Sequence, residues 1–150
     1  MRIDFARIPQ TLIMCTMMML ISCPLAVCSD LTASAKKAET ECNIHQGPCS
    51  LQLAGRTVAL EISPRPVKAM ADLTFRVTVT GPPLSGTPHI DLGMPGMEMG
   101  PNRVNMEKTG ENTYTGKGVI VRCPSGKTTW RAAVTVPETG TAAFVFDVVY

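Results

Sequence analysis

From Cys49 onward the chain alternates apolar and polar residues in short runs, the signature of strands that bury one face. Leu51 and Leu53 open the series, and Ala54-Gly55-Arg56 supplies a turn. Val58, Leu60 and Ile62 then share one parity until Pro64-Arg65-Pro66 stops the strand, because proline cannot donate to a ladder. Leu73, Phe75, Val77 and Val79 alternate with Thr74, Arg76, Thr78 and Thr80 in the clearest strand, which ends at Gly81-Pro82-Pro83. Ile90 and Leu92 face inward, so His89 and Asp91 point away from the core; Val104 and Met106 resume the inward parity further on. Glu107 to Asn112 reads as a turn, and a strand follows from Thr113 to Arg122. Its Gly116 and Gly118 suggest a bulge or a close backbone approach. Trp130, Ala132, Val134 and Val136 form one further inward face, and Phe144, Phe146 and Val148 the last. Met70 is expected to fill a gap in the core. About seven short strands, Gly/Pro turns and no convincing helix predict an all-β fold, a single immunoglobulin-like antiparallel β-sandwich.

The N-terminal pattern is different. Arg2 and Arg7 precede an apolar run from Thr11 to Val27, so residues 1–28 read as a secretory signal peptide. Leu20-Ile21-Ser22-Cys23 has the form of a bacterial lipobox, which would leave Cys23 as a lipid-modified terminus. Ala33-Ser34-Ala35 competes with it as an ordinary signal-peptidase site, and a retained anchor is a third reading. All three put the folded part outside the cytoplasm, in the periplasm or cell envelope. Residues 29–41 are small and polar and read as a flexible tether, which leaves 42–150 as the folded domain.

Composition sharpens the picture at one place. The chain has ten methionines, five of them in the N-terminal segment. Of the remainder, Met94, Met97, Met99 and Met106 crowd into the stretch from His89 to Met106, which Gly93, Pro95-Gly96 and Gly100-Pro101 break into a loop. Thioether sulfur is soft and uncharged and suits Cu(I), and imidazole suits copper in either oxidation state. The candidate metal ligands are therefore Met97, Met99, Met94, His89 and Met106. Met97 and Met99 carry the reading, because they alternate with Glu98 in a glycine-bracketed loop that has little core to fill. Met94 and Met106 divide between ligand and core filler, and His89 between ligand and solvated strand residue. The same exposed methionines would also suit an adaptable protein-binding patch.

Charge excludes more than it suggests. Without Arg2, Arg7 and Asp4 the chain holds 12 basic and 11 acidic side chains. It shows no basic face or aromatic platform for nucleic acid, and its singly scattered carboxylates argue against a cage for hard cations.

Six cysteines occur. Cys15 falls in the signal segment and Cys28 survives only if cleavage occurs at Cys23. Cys42, Cys49 and Cys123 belong to the domain. In an exported protein a disulfide is the default, and Cys42–Cys49 would close a short loop. Either of these cysteines could pair with Cys123 instead, and the thiol left over is free or pairs with Cys28 or another molecule. The spacing Cys42-x2-His45-x3-Cys49, with Cys123 as a fourth ligand, is the competing thiolate metal reading.

The segment Met94-Pro95-Gly96-Met97-Glu98-Met99-Gly100-Pro101-Asn102 resembles the methionine loop of the YtkA-like domains, small exported bacterial β-sandwiches related to FixH. Tyr114, Gly116 and Gly118, then Gly126, Trp130 and Val134, resemble that family too, and the likeness runs from about Val58 to Val149. It implies an immunoglobulin-like sandwich, no catalysis and a part in copper handling; the cysteines lie outside the pattern. The loop is also similar to those of periplasmic copper chaperones in its ligand types, though it lacks their spacing and second histidine. No Gly-x-Ser-x-Gly, phosphate loop or triad occurs, and His45 and His89 are the only histidines, so an enzyme is not expected. The expected function is an exported Cu(I) carrier serving a membrane oxidase or efflux system, with a non-metal envelope interaction module as the alternative.

Overall fold

A computed structural model describes residues 37–150. The signal segment, Cys15, Cys23, Cys28, both cleavage sites and most of the expected tether lie outside the described residues.

Within them the fold is all-β, with two five-stranded sheets and no helix. In chain order the strands are β1 (Lys37–Glu41), β2 (Cys49–Leu53), β3 (Arg56–Ser63), β4 (Leu73–Thr80), β5 (His89–Gly93), β6 (Arg103–Asn105), β7 (Glu107–Lys108), β8 (Thr113–Gly118), β9 (Thr129–Val136) and β10 (Gly140–Asp147). One sheet runs β1-β10-β9-β5-β6, the other β2-β3-β4-β8-β7. All pairings are antiparallel except β1 with β10, which is parallel.

The inward parities read from the sequence are those observed. Val58, Leu60 and Ile62 of β3, Phe75 and Val77 of β4, Ile90 of β5, Trp130 and Val134 of β9 and Phe144 of β10 are fully buried in one core between the sheets. Trp130 is the largest of them, and its indole N–H finds no acceptor among the described residues. That orphan donor costs about 1–3 kcal/mol, against roughly 4–6 kcal/mol from removing a ring of this size from water. The turn at Ala54-Gly55 joins β2 to β3 with both residues at positive φ (49° and 78°). That is the two-residue connection whose twist suits a hairpin.

Ten strands rather than seven reflect two local features. The tether expected to end at Glu41 is already a strand at Lys37: β1 carries no apolar stripe, and its backbone ladder to β10 holds it, with Ala38 packed against the core. The run around Met106 is two short strands, because the chain leaves one sheet after Asn105 and joins the other at Glu107. The strand expected to reach Arg122 ends at Gly118. Leu73, its partner there, is the first residue of β4, and beyond it the neighbouring chain turns away. Close approach explains the glycines. A Cβ on Gly116 would stand 2.5 Å from the Asn105 carbonyl oxygen and 2.8 Å from Met106 Sδ, and one on Gly118 would stand 2.7 Å from Val104 Cγ2.

Loops from both sheets gather at the end of the sandwich where β5 finishes. They are the segments 42–48, 64–72, 94–102, 119–128 and 148–150, tied by backbone hydrogen bonds such as Ala69 N–H to Val149 O and Met70 N–H to Ile120 O. The chain enters at the opposite end, where Lys37 pairs with Thr141.

Candidate functional site

The methionine loop joins the edge strands β5 and β6. Leu92 N–H donates to Asn102 O, so the two sides of the loop stay paired beyond the regular ladder. Met94-Pro95-Gly96-Met97 closes as a β-turn, with Met97 N–H on Met94 O at 3.2 Å and Gly96 at φ +71°. Proline at the second position and a left-handed glycine at the third are what a type II turn requires. The turn reverses the chain just after the inward parity of Leu92 and Met94 has run out, and residues 95–101 are all exposed.

The five candidate ligands are therefore divided. Met94 is 2% exposed and Met106 6%, both in the core, and Met106 lies against Gly116. Met97 and Met99 stand in solvent at 40% and 36%. His89 is at the other end of β5, about 13 Å along the strand from Gly93, on the outer face. There its Nε2 faces Asp91 Oδ2 at 3.4 Å. Asp91 is engaged by Arg103, whose Nε and Nη2 donate at 2.8 and 3.3 Å, an interaction that raises the guanidinium pKa. The structure brings Met97 and Met99 onto one short loop, and it does not bring His89, Met94 or Met106 to them as solvent-facing partners. Met94 and Met106 pack with the core residues.

Met70 corrects the sequence reading in the other direction. It is 68% exposed, not buried, and holds a left-handed backbone (φ 61°) while donating its N–H to Ile120 O. It sits at the same end of the fold as the methionine loop. Its parity ahead of Leu73 carried no signal, because no strand runs through it.

The pairing of Cys42 is also shown. Cys42 and Cys49 form a disulfide with Cα atoms 6.1 Å apart, so they are not thiolate ligands. His45, between them, accepts the Val67 N–H on Nδ1 at 3.0 Å, a structural task that the spacing argument could not reveal. An open groove of about 530 Å³ beside this loop is lined by Glu41, His45 and Asp147 among others. No three His, Cys, Asp or Glu side chains converge as metal ligands among the described residues. Cys123 is buried and has no disulfide partner among the described residues. Its Sγ lies 3.0 Å from Ser125 Oγ, and this hydrogen bond, with Ser125 N–H and Lys127 adding to it, lowers the thiol pKa from its usual range.

No family model matches the chain, and no curated protein matches it either.

Proposed function

We propose that this protein is an exported copper carrier or buffer of YtkA-like, immunoglobulin-like type, which holds Cu(I) on the thioethers of Met97 and Met99 and serves a membrane oxidase or an efflux system. One observation supports the reading above the others. Met97 and Met99 project into solvent from a turned loop while Met94 and Met106 pack in the core. A soft, uncharged donor pair on an exposed loop suits a monovalent soft cation, does not titrate in the physiological range and forms no disulfide. Two protein ligands leave the ion open to a donor from another molecule, as exchange requires. The Cys23 lipid anchor and the periplasmic or envelope location belong to the same proposal. The second reading, an interaction module of the envelope without a metal, is favoured by the apolar side chains exposed around the loop.

Methionine methyl NMR tests the first reading. Anaerobic Cu(I) shifts the methyl signals of Met97 and Met99 and leaves those of Met94 and Met106 in place. Equal movement of all four, or of none, contradicts it.

A further inference from the structure

Every large apolar side chain that is exposed among the described residues lies at one end of the sandwich. Met70, Val119, Val121, Val149 and Tyr150 join the two loop methionines there, while the turns at the opposite end, 54–55, 81–88, 109–112 and 137–139, expose none. The segments are in register with one another. Asn102 Nδ2 reaches Val119 O at 3.5 Å, Ile120 O holds Met70 N–H, Lys68 bridges to Val149, and Tyr150 Oη receives Cys123 N–H. Clustered apolar exposure of this kind marks an interaction surface, whereas scattered residues do not. Met70 is the sharpest case, since a bulky residue there accepts both a left-handed backbone and a solvated thioether.

The charges beside the patch narrow the occupant. Lys68, Arg122 and Lys127 flank Val121, Val149 and Tyr150, all three are exposed, and none forms an ion pair among the described residues. Arg122 lies over the Tyr150 ring, 5.2 Å from its centroid. Of the carboxylates at this end, Glu61 pairs with Arg65 and Arg76, Asp147 accepts from Thr129, Glu41 lies with Asp147 on the groove beside the 42–48 loop, and Asp72 and Glu98 adjoin the exposed methionines in the chain. The chain enters the domain at the far end, beside Thr141.

We infer that this end of the sandwich is a docking surface for a partner protein whose contact face is apolar at its centre and acidic where it meets Lys68, Arg122 and Lys127. Three methionines supply adaptable contact, and the cations set orientation and encounter rate. Met97 and Met99 then lie inside the contact. The docking stands on the exposed side chains alone; that copper passes across it rests on the function proposed above.

Photo-crosslinking in the cells that make the full chain tests this. A benzophenone amino acid is placed at Val121 or Met70, and at Glu111 on the opposite end as the control. The expected result is one protein adduct from positions 121 and 70 and none from 111, reduced about tenfold or more by the combined Lys68→Glu, Arg122→Glu and Lys127→Glu changes. The adduct is restored when acidic residues on the captured face are changed to lysine. Adducts of equal yield from both ends, adducts of twice this chain's mass, lipid adducts alone, indifference to charge reversal, or no adduct each overturn it. Met97→Leu/Met99→Leu keeps the patch apolar. Persistent crosslinking in that variant with Cu(I) binding unchanged would leave the docking surface standing and remove the copper reading.

Discussion

Met97 donates its backbone N–H to the carbonyl of Met94 across 3.2 Å, and the two side chains joined by that bond go opposite ways. One is 2% exposed and the other 40%. The turn between them, rather than the count of methionines, decides which sulfurs reach solvent.

That turn depends on Gly96. At φ +71° a Cβ is strained although nothing lies within 4 Å of it, so Gly96→Ala lowers stability by about 1–2 kcal/mol or rearranges the turn. Gly96→Asn, which tolerates the left-handed region, retains more of both stability and Cu(I) affinity. Urea unfolding and Cu(I) competition on the two variants check the order. Equal behaviour of alanine and asparagine contradicts it.

Gly116 tests the packing behind the loop. Alanine there drives a methyl into the Asn105 carbonyl oxygen, which as backbone cannot step aside, and costs about 1–3 kcal/mol. Gly47→Ala, with open space around it, changes stability by no more than about 0.5 kcal/mol. The two denaturation midpoints should separate clearly.

Much of this was legible in the residues. Strict alternation located the inward faces of β3, β4, β5 and β9, and the glycines of β8 announced the close approach that Gly116 makes. β1 was hidden because Lys37, Glu39 and Glu41 leave no apolar stripe, and a parallel backbone ladder is invisible to periodicity. Parity alone left Met94 and Met106 open, since a loop methionine and a core methionine look alike until the phase of the turn is known. Met70 went the wrong way for the same reason: its fate is set by a hydrogen bond to Ile120, 50 residues on in a separate loop.

His45 has a structural role that removal exposes. Val67 is fully buried, and its N–H has the imidazole Nδ1 as acceptor. His45→Ala leaves that donor orphaned, with an expected loss of about 1–3 kcal/mol and no change in Cu(I) affinity. A fall in copper affinity with stability intact would assign the histidine to the metal instead.

Cys123 carries the pH dependence. Ser125 Oγ donates to the sulfur and favours the thiolate, so the folded thiol titrates below its usual range. A depressed pKa contributes stability that is full above the unfolded thiol's pKa and is lost as pH falls through the folded value. Ser125→Ala should therefore raise the midpoint of thiolate absorbance, read against a Cys123→Ser blank. The Tm advantage of the wild type over Ser125→Ala should widen from neutral to alkaline pH. A gap that narrows on that path contradicts the assignment.

The most direct measurement is anaerobic competition for Cu(I) between the full chain and a chromogenic chelator, run on wild type, Met97→Leu/Met99→Leu and Met94→Leu/Met106→Leu. Leucine nearly conserves volume, so each pair costs the fold less than about 3 kcal/mol in all. The account predicts that the loop pair loses affinity by about 100-fold or more, as two lost ligands should cost, while the core pair competes as the wild type does. Indistinguishable competition by the wild type and the loop variant would contradict it.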